Sequence, residues 1–136
     1  MIKKTALLAV LCLIMLGSCG TKNVLEISAN MIGTWDIVSA MGKSTAGGDK
    51  APYITFAEGG KFNGNASVNN FFGEYKPSKN EPAIKNVGMT RMMGRSMDIE
   101  QNITDALNNT TTIKLQGDKA VVYDKNGKEV MVLKKK

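Results

Sequence analysis

The chain has 136 residues, 43% of them hydrophobic, which is enough for one folded domain and argues against disorder. It contains no histidine, so catalytic triads, metal sites and pH switches that depend on histidine are excluded. The net charge is +6, but the lysines alternate with acids and no aromatic platform accompanies them, which argues against nucleic-acid binding.

Residues 1–18 have the features of a lipoprotein signal peptide. Lys3 and Lys4 precede an apolar run, Ala6–Leu16, that is too short to span a bilayer as a helix. The run closes on the letters LGSC, ending at Cys19, which resemble the lipobox of bacterial lipoproteins. That resemblance implies cleavage before Cys19 and acylation of its thiol and of the new N-terminus. The alternative is an ordinary secretory leader in which the cysteine is accidental.

Acylation at Cys19 predicts a protein of the bacterial cell envelope that is held on the membrane by its lipid. Position 20 is glycine rather than aspartate, which favours the outer membrane in the enteric sorting pattern, and the lack of an acidic run favours the periplasmic face. The C-terminal Lys134–Lys136 are predicted to be a solvated tail, with contact to anionic lipid as the alternative. The signal peptide, lipidated tether, folded domain and basic tail are expected at residues 1–18, 19–30, 31–134 and 135–136.

The folded domain alternates short strand patterns with turns rich in glycine, asparagine and aspartate. Strands are predicted at residues 33–40, 53–58, 61–67, 71–76, 83–87, 110–115, 119–123 and 128–134. Over Met92–Asn109 the period of the apolar residues becomes helical, and Ser96 is a candidate N-cap. The predicted fold class is α+β: a curled antiparallel sheet or incomplete β-barrel of about seven or eight strands, with one helix packed on it.

Several residues in these elements follow one another in a familiar order: Trp35, Phe56, Gly64, Asn69, Phe71, Gly73, Tyr75, Thr90 and Met92. In that order they resemble the META domain family, that of the heat-inducible bacterial lipoprotein HslJ. The resemblance covers roughly residues 31–134 and implies a role in stress response or drug tolerance. Many members carry two cysteines where this chain has Val68 and Gly94, and the resemblance implies that those cysteines are linked.

The segment Ser67–Tyr75, SVNNFFGEY, carries much of this resemblance and has two interpretations. In the structural one, Asn69 or Asn70 forms a tight corner and Gly73 permits a bulge or a close backbone approach. In the functional one, the two asparagines line the mouth of a half-open barrel and bind a polar ligand.

A second candidate site lies between the strand predicted at residues 83–87 and the predicted helix. Four methionines and the only two arginines of the chain share it: Met89, Arg91, Met92, Met93, Arg95 and Met97. Core filling is the default role for such methionines, while an apolar ligand pocket and a Cu(I) site are the alternatives. With both arginines at its rim, the pocket would suit an amphiphile with an anionic head.

These observations predict a non-enzymatic, membrane-anchored envelope lipoprotein of the META type that acts by binding a partner. The alternative is a carrier of a lipid or amphiphile in a methionine-lined cavity. No enzyme is predicted, because a nucleophile–base pair, a P-loop and a dinucleotide motif are all missing from the sequence. No cofactor or metal is expected, and the predicted partners are the membrane, through the lipid anchor, and an envelope protein or lipid.

Overall fold

A computed structural model describes residues 29–76 and 83–136, and the predicted signal peptide and Cys19 lie outside these ranges. Within them, residues 29–31 are helical and nine strands form one antiparallel sheet. The strands are β1 Gly33–Ala40, β2 Lys43–Ser44, β3 Tyr53–Ala57, β4 Lys61–Asn65, β5 Asn70–Tyr75, β6 Ile84–Met89, β7 Thr112–Gln116, β8 Lys119–Tyr123 and β9 Glu129–Lys135. The main helix, α1, spans Met97–Asn109 and lies between β6 and β7 in the chain.

The sheet curls into a half-barrel with the strand order β6-β5-β4-β3-β1-β9-β8-β7, and the short β2 pairs with β1. The first and the last long strands pair inside this sheet, with Trp35 of β1 opposite Lys135 of β9. The helix packs on β1, β6 and β9 and covers the concave face. The predicted fold class, a curled antiparallel sheet with one helix packed on it, is confirmed.

Large apolar side chains fill the space between α1 and the sheet. The most completely buried include Trp35, Ile54, Phe56, Phe62, Phe71, Ile103, Leu107, Met131 and Leu133. The Trp35 indole N–H donates to the Met31 carbonyl over 2.8 Å, so this large ring is buried with its one polar atom satisfied. The bond ties β1 to the helical turn that precedes it.

Two glycines make room for two phenylalanines in the neighbouring strands β4 and β5. Gly64 lies opposite Phe71, and Phe62 lies opposite Gly73. A Cβ atom placed on either glycine would come within 2.6 Å of the facing ring. The Gly and Phe positions of the META pattern are therefore explained by packing, since each ring occupies the space that a side chain at the facing glycine would need.

Tyr75 ends β5 and closes the aromatic part of the core. Its ring packs edge-on against Phe56, with centroids 4.9 Å apart, and its hydroxyl donates to the Ala57 carbonyl over 3.1 Å. Burial raises the pKa of the Tyr75 phenol, and the nearby Glu58 carboxylate adds to the increase. The phenol therefore stays protonated and keeps its hydrogen bond through the neutral pH range.

The helix begins at Met97, directly after the predicted N-cap Ser96, so residues 92–95 of the predicted helical pattern lie outside it. Side chains from other parts of the chain bind the backbone before it: Met92 N–H donates to Asn69 Oδ1 over 2.6 Å, and Arg95 N–H donates to Asp49 Oδ2 over 2.8 Å. Because these acceptors take the N–H groups, residues 92–95 stay outside the helix. Helical periodicity alone contains no information about such distant acceptors.

The C-terminal lysines also differ from the expected solvated tail. The last strand runs through Lys135, whose N–H donates to the Asp118 carbonyl over 2.8 Å. Lys136 N–H donates to the Thr34 carbonyl, and its ammonium lies 3.3 Å from the Asp36 carboxylate. These residues are therefore a continuation of the sheet.

Candidate binding groove

An open groove of about 600 Å³ lies between the edge strand β6 and α1, and we call it the methionine groove. Its walls come from the end of β6, the segment that joins β6 to α1, α1 itself, Asn69 just before β5 and one outward residue of β5. The lining residues are Asn69, Phe72, Val87, Gly88, Met89, Thr90, Arg91, Met92, Met93, Met97, Glu100, Thr104 and Asn108. The groove therefore contains all four methionines that the sequence grouped together.

The four methionines differ in depth along the groove. Met93 is 87% exposed and Met92 is 58% exposed, whereas Met89 and Met97 are partly buried. The Met89 sulfur accepts a long hydrogen bond from the Thr104 hydroxyl at 3.7 Å, which ties β6 to the helix. Core filling, the default role predicted for these side chains, is wrong for Met92 and Met93, because both side chains are exposed.

Phe72 forms part of the groove wall and had no functional role in the sequence analysis. It lies opposite Gly88 on β6, is 57% exposed, and its ring covers that glycine so closely that a Cβ there would overlap it. A phenylalanine on the outward face of an edge pair is the signal in the sequence that could have pointed to it. Phe72, Met92 and Met93 together give the groove three exposed, large apolar side chains.

The two arginines, predicted to share the rim, lie in different places. Arg91 lines the groove, whereas Arg95 is not among the lining residues. The Arg95 side chain is 96% exposed and its Nε lies 3.3 Å from Asp49 Oδ1. Only one arginine is therefore available to an anionic group bound in the groove.

The ion pair and backbone bond between Asp49 and Arg95 give a pH-dependent contribution to stability. The Arg95 backbone N–H is the main cause that holds the pKa of the Asp49 carboxyl below its ordinary value. A carboxylate with a lowered folded-state pKa stabilises the fold above its unfolded-state pKa, and this contribution is lost as the pH falls through the folded-state value.

We expect the Asp49→Asn variant to unfold at a lower urea concentration than the wild type at pH 7. The difference should shrink as the pH falls below about 4, and it should vanish once the wild-type carboxyl is protonated. Urea midpoints for both proteins across the acid range measure this. A difference that persists unchanged in acid would show that the charge on Asp49 is not responsible.

Asn69 connects three elements at the inner end of the groove. Its Nδ2 donates to Met92 O and to Glu100 Oε1, both over 2.8 Å, and its Oδ1 accepts from Thr90 Oγ1 and Met92 N–H. Its backbone N–H donates to Glu100 Oε2 over 2.7 Å. The side-chain amide therefore has two donors and two acceptor positions in use, which is its full capacity.

This network gives Asn69 a structural role and leaves its amide no free capacity for a ligand. Glu100 is 6% exposed, and its two oxygens accept the Asn69 backbone N–H and one N–H of the Asn69 side chain. The sequence placed Glu100 in the favourable first turn of the helix and missed this contact. An acid among apolar residues at helical spacing was the available signal. The exposed Asn70 accepts only a hydrogen bond from Asn65 Nδ2 through its side chain.

A corner of serine hydroxyls lies beside this network, where α1 begins. Ser67 has a φ of +84° and its Oγ is 2.9 Å from Ser96 Oγ. Ser96 Oγ also accepts from the Asp49 N–H over 2.8 Å, and it makes no cap bond to the helix. The predicted N-cap is therefore at the right residue, but its side chain joins two loops instead of satisfying the helix terminus.

Among the described residues, no cluster of three or more His, Cys, Asp and Glu side chains could hold a metal ion. The described part of the chain also has no helix of the length and apolarity needed to cross a membrane.

The fold and groove together define a small half-barrel module with an open apolar groove beside its helix. The family model of the META domain matches residues 29–136, and the chain therefore belongs to the META domain family. No curated protein matches the chain. The relation predicted from the ordered motif residues is thus confirmed.

Three solved structures show the same fold. A protein from Burkholderia xenovorans, studied by NMR, is 16% identical with a TM-score of 0.60, covering 82% of this chain and 87% of its own. A DUF4847 family protein from Bacteroides vulgatus is 16% identical with a TM-score of 0.56, covering 78% and 94%. A third protein, also studied by NMR, is 24% identical with a TM-score of 0.59, covering 76% and 89%. At these identities the likeness concerns the fold alone.

Proposed function

We propose that this META domain protein is a non-enzymatic envelope lipoprotein, anchored through an acylated Cys19, that binds an apolar segment of a partner protein in the methionine groove. The observation that carries the proposal is the exposure of Phe72, Met92 and Met93 around one open groove. Contiguous exposed apolar side chains on a folded domain mark interaction sites. Methionine is suited to such a surface because its flexible thioether adapts to different partners.

The filled interior supports a partner over a carried lipid. A carrier needs an enclosed cavity beneath the helix, and the helix residues that face the sheet are Ile103, Ala106 and Leu107, each at most 1% exposed. The groove is instead open along its length, so a bound segment would keep one side in contact with solvent. A protein segment that is only partly buried on binding fits this shape better than an acyl chain does.

Arg91 adds a polar preference at the edge of the groove. Arg91 belongs to the lining, and planar guanidinium groups bind carboxylates through paired hydrogen bonds. The partner segment that fits best is therefore apolar with a carboxylate next to it. The lipid or amphiphile alternative would replace this carboxylate by an anionic headgroup.

We expect the double variant Met92→Asp/Met93→Asp to weaken partner binding at least about 30-fold, because two charges would enter an apolar contact. The matched control is Ile32→Asp/Val38→Asp, which places the same two charges on apolar side chains that are 36% and 47% exposed but lie outside the groove. A photo-crosslinking amino acid at position 93 in intact cells identifies the partner, and titration of the purified pair measures the affinity. Equal weakening by both variants would contradict the proposal.

Gentle extraction followed by native mass spectrometry separates the two functions. A discrete added mass that disappears on denaturation would favour the carrier. A mass equal to the acylated polypeptide favours the binding of a protein segment. The Cys19→Ser variant should lose both the acyl mass and the membrane fraction, and its retention in the membrane would contradict the anchor.

A further inference from the structure

Lysines are concentrated at one end of the sheet, where β1 begins and β9 ends. Seven lie there, at the ends of five strands: Lys61, Lys76, Lys85, Lys119, Lys134, Lys135 and Lys136. All but Lys85 are exposed. We call this the lysine end of the sheet. The opposite end, where β5 begins and β8 ends, adjoins both termini of α1, and we call it the helix end.

Four carboxylates lie at the lysine end: Asp36, Glu58, Glu74 and Asp118. Lys61 and Asn86 hydrogen-bond to the Glu74 carboxylate and lower its pKa, the lysine having the larger effect, so this group stays ionised. Residues 29–76 and 83–136 carry fourteen basic and ten acidic side chains, a net charge of +4. Seven lysines against four carboxylates place +3 of that charge at the lysine end.

The chain enters the domain at the same end. The Lys135 ammonium lies 3.4 Å from the Asn30 carbonyl, and β1 begins three residues later. Nine residues separate Cys19 from Ala29. Even fully extended, such a segment reaches at most about 35 Å. A domain anchored at Cys19 would therefore have its lysine end within a short distance of the lipid headgroups.

We propose that the lysine end is a docking surface for anionic lipid headgroups, and that it orients the domain with the helix end away from the membrane. This rests on the proposed function in one respect, since the lipid at Cys19 makes the bilayer the neighbouring surface. Each lysine near an anionic bilayer contributes about 1 kcal/mol, a factor of about five in partitioning. Several lysines acting together therefore suffice to bias the orientation of a tethered domain.

The orientation has a consequence for the methionine groove. Met92, Met93 and Met97 lie at the helix end, next to the beginning of β5 and the end of β6. With the lysine end on the headgroups, the groove opens into the aqueous space on the far side of the domain. A partner could then reach it without competing with lipid.

The electrostatic part is tested on residues 19–136 with Cys19→Ser, which contain the entire described domain and have no lipid. The partition coefficient is measured on vesicles of phosphatidylcholine with phosphatidylglycerol. Lys76→Glu/Lys119→Glu/Lys134→Glu should weaken partitioning by about 100-fold or more. The matched control Lys43→Glu/Lys125→Glu/Lys128→Glu makes the same change of charge at the helix end. Equal losses in the two triple variants would overturn the proposal, because net charge alone would then explain binding.

The orientation is tested on the acylated protein in the same vesicles, with a fluorophore on a cysteine at Gln116 or at Asn126. These positions lie at the lysine end and the helix end of the β7–β8–β9 hairpins. Energy transfer to a headgroup-labelled lipid should be stronger from Gln116 and should equalise at high salt. Equal transfer at low salt would overturn the proposal. Failure of Cys19 acylation would instead appear as a missing acyl mass, with the partition experiment unaffected.

Discussion

Replacing Asn69 by alanine is expected to lower the free energy of unfolding by about 3 kcal/mol. The substitution removes four side-chain hydrogen bonds, two to Met92 and one each to Thr90 and Glu100. It also leaves the buried Glu100 carboxylate with one fewer donor, and an under-satisfied buried charge is costly. Urea unfolding at pH 7 measures the loss.

Asn70→Ala is the matched control, since it deletes the same amide from the adjacent position. The Asn70 side chain is exposed and accepts one hydrogen bond, from Asn65 Nδ2, so we expect a loss below about 1 kcal/mol. If the two variants were equally stable, Asn69 would not be what connects the start of β5, α1 and the segment that joins β6 to α1. Its amide would then be a candidate ligand group, as in the alternative interpretation of the sequence.

The double variant Val68→Cys/Gly94→Cys, in the chain carrying Cys19→Ser, is expected to form a disulfide and gain about 3.5 kcal/mol of stability. A Cβ at Gly94 would lie 2.7 Å from Val68 Cγ2 and 2.8 Å from Cγ1. A disulfide places the Cβ of one cysteine roughly 3 Å from the sulfur of the other, so the two positions suit the bond. Closing a loop of about 27 residues restricts the unfolded chain by the stated amount.

The shift in melting temperature should vanish when a reductant is added, and each single cysteine variant should lack it. Mass spectrometry would show the loss of two hydrogens in the oxidised form. A free thiol count of two under oxidising conditions would contradict the expected proximity. Success would explain the paired cysteines that the family resemblance implies in relatives. In this chain the Val68 side chain packs against Gly94 in the place where the disulfide would lie.

The strand order along the chain and the class of fold were predictable because alternation and turn residues are local properties. The hairpin at Gly59-Gly60 and the limits of β8 follow from such patterns. The exclusion of residues 92–95 from α1 was not predictable in this way. Asn69 and Asp49, which bind the backbone N–H groups of Met92 and Arg95, are more than twenty and forty residues away in sequence. Periodicity cannot encode a competing acceptor at that separation.

The candidate site was predicted only in part, because it combines residues that are close in sequence with residues from distant segments. The four methionines meet in one groove because they are close in sequence on either side of one corner. Phe72 reaches the groove only through its register with Gly88, and Arg95 leaves it only because Asp49 lies opposite. Both depend on the pairing of distant segments, and a single sequence does not specify that pairing.

The central position of β1 has a mechanical consequence for a domain held by its N-terminus. β1 has hydrogen-bonded ladders on both sides, with β3 and with β9, and the chain enters at its first residue. A pull on the tether acts along the strand, whereas the ladder bonds run across it. The load is then shared by both ladders in shear, and no bond can be opened singly from an edge. Forced extension from the N-terminus should therefore meet more resistance than extension that peels the edge strand β7.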